Sequence, residues 1–273
     1  MKNKVTLEFL GTGTSQGVPM IACDCEVCKS KDPKDKRLRA SVFIEYEGLK
    51  ILVDAGPDFR YQMLRADIRH IDSILFTHNH KDHTAGLDDV RAYNYLEKKA
   101  TEIYCEDYVQ DSLKNEFPYA FCEHKYPGVP EWRIHKIENA PFFLPGKADS
   151  EMVDAGKIDD VEIIPIRGLH YKLPVLGFRF GNIAYCTDMN SIAEEEFEKL
   201  KGLDHFIISC VRRGHHISHF SLEEAIEVCK KVGAKKSWLT HLSHMLPTYS
   251  ELIKELPENI APAYDGLIIK GDF

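Results

Sequence analysis

Apolar and polar positions alternate in short runs along the first part of the chain. VTLEFLG (5–11), ASVFIEYEG (40–48), LKILVDAG (49–56) and SILFTH (73–78) are each apolar or alternating, and each ends in Gly, Asp or His. A period of two with such stops predicts β-strands. Glu47-Gly48 predicts a hairpin turn between the second and third runs. From HKDHTAGLDDVRAYNYLEKK (80–99) the period changes to 3.6, and Leu87, Val90, Arg91, Tyr93 and Asn94 fall on neighbouring faces of a predicted helix. EIYCE (102–106) predicts a strand and DYVQDSLKNEF (107–117) a helix. Beyond residue 160 the pattern repeats. VEIIPIRGLH, VLGFRFG, NIAYCTD, DHFIISC, KKSWLTHL and YDGLIIKG predict strands; IAEEEFEKLKG, SLEEAIEVCKKVGA and YSELIKELP predict helices. Strands, helices, strands, helices suit two sheets packed face to face with helices outside, and suit a doubly wound alternation less well. Residues 124–160 are rich in Pro, Gly and charge but hold Trp132, Phe142 and Phe143. They predict an excursion between short strands that shapes a pocket, because a disordered linker carries few aromatics.

A chain of 273 residues is near the upper size for one core. It has 44% hydrophobic and 29% charged residues, as an ordinary globular protein does. No apolar run reaches the roughly 18 residues of a membrane span. The first residues run straight into a strand without a signal-peptide pattern, so a cytoplasmic location is expected. The formal charge of −8 argues against an extended nucleic-acid surface, though not against a small anionic substrate held locally. Eight cysteines with no export signal do not read as a disulfide framework. Cys105, Cys122, Cys186, Cys210 and Cys229 are scattered and read as small apolar residues. Cys23, Cys25 and Cys28 are clustered and read as metal ligands. A closed zinc site needs a fourth ligand, and no other cysteine is near.

THNHKDH (77–83) holds the densest chemistry. His78, His80, Asp82 and His83 stand between a strand and a helix, so four metal-capable side chains share one loop. With this motif the chain resembles the metallo-β-lactamase superfamily. Further motifs follow in family order: Asp54 in ILVDAG, His170 in RGLH, Asp188 in AYCTDMN and His241 in LTHLSH. The resemblance implies one α+β domain over residues 1–273, an αββα sandwich of two mixed sheets with helices on the outer faces. It also implies two divalent ions, zinc, manganese or iron. His78, His80 and His170 would hold one, and Asp82, His83 and His241 the other. Asp188 would bridge them, and Asp54 would support the loop. Two such cations make hydroxide available near neutral pH.

CxCxxC near the start and a histidine three residues after His241 resemble the PhnP-like phosphodiesterase branch of that superfamily. There the implied structural zinc site is Cys23, Cys25, Cys28 and His244; a lone redox thiol cluster is the alternative. LGTGTSQGVP (10–19) fits the same branch. Its Gly spacing is wrong for a dinucleotide loop, and it reads as a tight turn under the active site. HHISHFS places His219 before a helix that Ser221 caps. By resemblance His219 is the general acid, with His215 and His216 as competitors, while Arg212 and Arg213 are candidate phosphate ligands. The implied activity is hydrolysis of small cyclic phosphodiesters. Within the superfamily, the alternatives are a transfer-RNA 3′-processing nuclease and a thioesterase or glyoxalase-like hydrolase. A metal-binding module without turnover belongs to another class. The resemblance also suggests a homodimer.

Overall fold

The structure, a computed structural model, describes residues 4–147 and 160–272. The chain first forms β1 (Lys4–Gly11), α1 (Glu26–Lys29), β2 (Ser41–Tyr46), β3 (Leu49–Val53), α2 (Phe59–Arg65), β4 (Ser73–Leu75), α3 (Lys81–Thr84) and α4 (Arg91–Glu97). It continues through β5 (Thr101–Cys105), α5 (Asp107–Glu116), α6 (Pro118–Phe121), β6 (Trp132–Lys136) and β7 (Phe142–Leu144). The second half holds β8 (Val161–His170), β9 (Leu173–Phe180), β10 (Ile183–Cys186), β11 (Ser191–Ile192) and β12 (His205–Ser209). Then come α7 (Leu222–Val232), β13 (Lys236–Thr240), α8 (Tyr249–Glu255), β14 (Ile260–Pro262) and β15 (Ile268–Asp272). Glu47 and Gly48 take φ of 49° and 77°, the primed turn that the β2–β3 hairpin needs.

One sheet has the order β15-β1-β2-β3-β4-β5-β6; the other has β11-β8-β9-β10-β12-β13-β14, with β7 beside β8. Each sheet is antiparallel on one side, then parallel: β3, β4, β5 and β6 run together in one, and β10, β12, β13 and β14 in the other. The strand alternation turns Val5, Leu7, Phe9 and Ile44 toward Ile163, Phe178, Tyr185 and Ile207 of the facing sheet. Burying each such side chain contributes roughly 1.5–3 kcal/mol. Phe43, Leu52 and Ile74 point the other way, against Phe59, Met63, Val109 and Leu113 of α2 and α5. Ala184, Phe206 and Ile208 meet Leu222, Ala225, Cys229 and Leu252 of α7 and α8. The result is the expected sandwich of two packed mixed sheets with helices on both outer faces. Among the described residues, no helix is long and apolar enough to cross a membrane.

Two helices differ from the sequence pattern. The stretch after residue 80 is not one helix but α3, a 3₁₀ turn at Leu87–Val90 and α4. The break falls at Gly86, whose N–H donates to the Ala55 carbonyl at 2.9 Å and where a Cβ would lie 1.9 Å from the Gly56 carbonyl. Leu87 and Val90 are buried while Arg91 is exposed, so the expected shared face is split. Glu194–Leu200 is a 3₁₀ helix rather than an α-helix. Its tighter winding eclipses residues i and i+3. That sets Glu196 beside Lys199 at 2.8 Å and lets the buried Glu196 accept from the Arg167 N–H and Asn139.

Of the excursion at 124–160, residues 148–159 lie outside the described residues. The rest supplies β6 at one sheet edge and β7 beside β8. Its side chains bond to Glu102, Asp72 and Glu196. Cys105, Cys186, Cys210 and Cys229 are buried, as their scatter suggests, but Cys122 is exposed.

Candidate active site and metal centre

The residues that follow β3, β4, β10 and β13 meet the last residue of β8. Asp54 leaves β3 in the left-handed region, with φ 64°, and is fully buried. Its Oδ1 accepts from the Thr77 N–H at 2.9 Å, and its Oδ2 accepts from Thr77 Oγ1 at 2.8 Å and His83 Nδ1 at 2.7 Å. The proton on His83 Nδ1 is thereby assigned, and Nε2 is the nitrogen that faces the centre. His78 Nδ1 donates in turn to Thr77 Oγ1 at 3.0 Å, which frees its Nε2 as well. Thr77 thus orients His78 directly and braces Asp54, which orients His83, a role that no spacing in the sequence signals.

Asp188 and His241 also take left-handed backbones, with φ 55° and 56°. Such conformations are uncommon outside glycine and concentrate at functional sites. Thr187 Oγ1 donates to Asp188 Oδ1 at 2.6 Å, so Oδ2 is the atom left to face the imidazoles. Asp188 Oδ2 lies 3.4 Å from His83 Nε2, 3.3 Å from His241 Nε2 and 3.9 Å from His78 Nε2. Asp82 Oδ2 lies 3.3 Å from His83 Nε2 and 3.6 Å from His241 Nε2. Zinc held at about 2.0–2.1 Å by nitrogen and oxygen spaces its tetrahedral ligands about 3.3–3.4 Å apart. Asp82, His83, Asp188 and His241 have nearly those spacings.

The other side is built from ring contacts. His78, His80 and His170 lie 4.6, 5.7 and 4.9 Å apart as ring centroids, taken pairwise from His78–His80 through His78–His170 to His80–His170. His219 joins them, 4.5 Å from the His170 ring and stacked 4.8 Å from His241. Donor atoms of His170, Asp188 and His219 fall within 4.8 Å of one another. His216 touches His219 at 5.1 Å, whereas His215 is exposed and turned to Glu224. Arg213 pairs with Glu255, and Arg212 donates to the His215 carbonyl at 2.8 Å. The phosphate role expected of those two arginines finds no support in their bonds.

The electrostatics call for cations. Burial pushes the Asp188 carboxyl up, but His241 and His83 beside it hold it well below the carboxylate range. Burial also opposes ionisation of Asp82, and His83 outweighs it. Burial alone would deprotonate His83, yet Asp188, Asp82 and Asp54 raise it well above the usual imidazole value. Burial followed by the His241 charge takes His219 down to about 3. His78 Nε2, His83 Nε2, His170 Nδ1, His219 Nδ1 and both nitrogens of His241 are buried without a hydrogen-bond partner. Buried imidazoles rarely go unsatisfied. Buried imidazole nitrogens gathered around ionised carboxylates fit divalent metal ions.

A second donor group lies at the N-terminal loop. Cys23 Sγ and Cys25 Sγ lie 3.3 and 3.5 Å from His244 Nδ1, and all four donors, with Cys28, fall within 4.8 Å of one another. A zinc bound by sulfur at about 2.3 Å and nitrogen at about 2.0–2.1 Å spaces them about 3.6 Å apart. The Cys28 N–H bond, then His244, lowers the Cys25 thiol to about 6, while burial raises Cys28 to about 11. The glycine-rich turn threads between this group and the centre: Gly13 bridges Leu242, and the Leu242 N–H donates to the Thr12 carbonyl at 2.8 Å. At Gly11 a Cβ would lie 1.9 Å from the Arg39 carbonyl, which is the close approach expected there.

The model of the β-lactamase superfamily domain matches residues 50–242. An octanoyltransferase of Porphyromonas gingivalis strain W83 is 40% identical over 262 residues, covering 95% of this chain but only 50% of that protein. The chain therefore spans about half the length of that curated relative. A ribonuclease Z of Methanopyrus kandleri is 33% identical over 298 residues, 99% of each protein. The crystal structure of a diphosphatase from the PhnP family superposes with a TM-score of 0.88 and 36% identity, covering 100% of this chain and 99% of that one. The chain belongs to the β-lactamase superfamily and has the metallo-β-lactamase fold.

Proposed function

We propose that this protein is a metal-dependent hydrolase of small phosphodiesters, cyclic ones included. One observation carries the reading: His219 stacks on His241 and meets His170 beside Asp188, yet its buried Nδ1 has no partner. A thioester or lactam hydrolase does not need this histidine. Hydrolysis of a phosphodiester with a basic leaving oxygen needs a proton donor there. The whole-length likeness to the PhnP-family diphosphatase supports phosphorus as the reacting atom.

His78, His80 and His170 would hold one divalent ion, Asp82, His83 and His241 a second, and Asp188 would lie between them. When bound, such ions neutralise phosphate charge and lower the pKa of water. Everything else falls to the chain. Asp54 and Thr77 fix which nitrogen of His83 and His78 faces inward. Thr187 fixes which oxygen of Asp188 does. His219, held neutral by burial, gains a proton when an anionic phosphate settles against it, because opposite charge favours the imidazolium. That proton passes to the leaving alkoxide as the P–O bond breaks. Cys23, Cys25, Cys28 and His244 would hold a structural zinc.

Ribonuclease Z likeness over the full length favours a second reading, processing of transfer-RNA 3′ ends. The charge of −8 counts against it, since a long polyanion binds through basic surface. The test is turnover by protein loaded with zinc, manganese or iron on bis(p-nitrophenyl) phosphate, 2′,3′-cyclic nucleotides, a diphosphate ester and a precursor transfer RNA. Asp188→Ala serves as control. Metal-dependent cleavage of cyclic diesters, absent in the control, is the expected result. Cleavage of the diphosphate alone would move the substrate to an anhydride, and cleavage of transfer RNA alone would favour the second reading. Silence on all four at full metal content would overturn the proposal.

A further inference from the structure

We infer that Asn190 is a positioning residue whose side-chain amide clamps the His170 and His219 segments together and so sets how His219 meets the leaving group. The inference rests on the proposed phosphodiesterase reading. Asn190 stands two residues after Asp188, and its backbone N–H donates to the Leu169 carbonyl at 2.8 Å. Its Oδ1 accepts from the Tyr171 N–H at 2.9 Å, and its Nδ2 donates to the Ile217 carbonyl at 3.1 Å. Met189 completes the pattern: its carbonyl accepts from the Phe220 N–H at 2.8 Å.

The run 189–190 therefore brackets each histidine on both sides. His170 lies between Leu169 and Tyr171, both tied to Asn190. His219 lies between Ile217, tied to Asn190, and Phe220, tied to Met189. The two rings sit 4.5 Å apart.

Burial does not hold these segments from outside, because Tyr171 is 50% and Ile217 60% exposed. Tyr171 takes φ 58° because, with Lys172, it makes the two-residue turn of the β8–β9 hairpin, in which His170 pairs with Leu173. Its N–H bond to Asn190 Oδ1 braces that turn against the segment after Asp188. Met189 is anchored independently. It is fully buried and fills the space over Gly168, where a Cβ would meet its Sδ at 2.3 Å. Removing the Asn190 side-chain amide thus takes one tether from each histidine segment, while the strand pairing of His170 and the backbone bonds of Met189 and Asn190 remain.

A loosened proton donor matters in proportion to the basicity of the leaving oxygen. A ribose alkoxide depends on an aligned donor; p-nitrophenolate leaves with little help. A general structural defect would not discriminate between them.

The test compares wild type, Asn190→Ala and Asn190→Asp as metal-loaded proteins on a 2′,3′-cyclic nucleotide and on bis(p-nitrophenyl) phosphate, with metal content measured for each. Misalignment on this scale costs about 10- to 100-fold in kcat, so Asn190→Ala is expected to lose that much on the cyclic nucleotide and several-fold less on the nitrophenyl ester. Asn190→Asp keeps an acceptor for Tyr171 but lacks the donor for Ile217, and should show the same selectivity. Amide hydrogen exchange on the metal-free proteins reads the clamp directly: Tyr171 should exchange faster in Asn190→Ala and remain slow in Asn190→Asp. Equal losses on both substrates at normal metal content, or unchanged exchange at Tyr171, would overturn the inference while leaving the phosphodiesterase reading intact. A wild type inert to both substrates would overturn that reading, and the role assigned to Asn190 with it.

Discussion

Asp54 is a single carboxylate on which two imidazoles depend. It is fully buried, and burial raises its pKa against the pull of His83. Asp54→Ala would leave His83 Nδ1 and the Thr77 N–H without partners in a region closed to water. Breaking a buried pair in this way costs about 3–5 kcal/mol. Urea unfolding of the metal-free protein should show a loss of that size. Asp54→Asn keeps the shape and turns an amide toward His83, which must then expose the wrong tautomer. Changes behind a metal ligand typically weaken metal binding about 10–100-fold. Titration with zinc should find that loss in Asp54→Asn with a smaller effect on unfolding; unchanged affinity would mean that Asp54 does not orient the metal-binding histidines. Asp54 itself is legible as a strand-end residue within a recognisable motif. Its partner Thr77 is not, because a threonine beside a histidine has no distinguishing local pattern.

Strands and caps are the most legible elements. The alternation in 5–11 and 40–56 gives β1 to β3, and Ser221 caps α7 with Glu224 in a reciprocal box. Helix continuity after residue 80 is less legible, since the break answers to the backbone of Gly56 rather than to any neighbour in sequence. The start of β4 offers a test of element stability. Asp72 and Lys50 exchange bonds, with Lys50 N–H on Asp72 Oδ2 at 2.8 Å and Asp72 N–H on the Lys50 carbonyl at 2.8 Å. Lys147 Nζ and His70 Nε2 lie 2.6 and 2.8 Å from the same carboxylate. Burial raises its pKa, but Lys147, the Lys50 N–H and His70 together bring it below 3.8. In the window between the folded and unfolded values the unfolded chain binds more protons. The stabilisation is therefore complete above about pH 3.8 and disappears as pH falls through the folded value. The stability difference between wild type and Asp72→Asn, from urea midpoints, should be constant near neutrality and shrink in acid. A difference that grows in acid would contradict this account.

At the scale of the whole molecule, four donors that would hold a zinc bring the two ends of the chain together. Cys23 and His244 are 221 positions apart in sequence and 3.3 Å apart in the structure. A metal there closes a loop of nearly the whole chain, and its loss returns that freedom to both ends. His244→Ala should bind one zinc fewer than wild type, unfold at lower temperature and be cut by protease within residues 20–30. Asp188→Ala, a change at the proposed active site, should leave that loop protected. Equal cleavage in the two variants would show that the cysteine loop does not depend on its own metal. The turn at 10–19 carries the connection inward, because Thr12 bonds the residue that follows His241.

The sequence by itself determined what depends on neighbours along the chain: strand periods, the β2–β3 turn, the α7 cap and a dense set of donors at 78–83. Side-chain chemistry and short-range spacing suffice for these. His170, Asp188 and His241 are legible only through resemblance, since nothing in their local context brings them to residues 78–83, and so is His244, since nothing local brings it to Cys23, Cys25 and Cys28. Tertiary structure alone decided that meeting, by running the parallel strands of both sheets so that their ends converge. It also decided the left-handed backbones of Asp54, Asp188 and His241, the break in the expected helix after residue 80, the 3₁₀ winding of 194–200, and the pairing of Asn190 with segments on either side of two histidines. These features follow from burial and hydrogen bonding between residues far apart in sequence, which are settled only when the whole core closes.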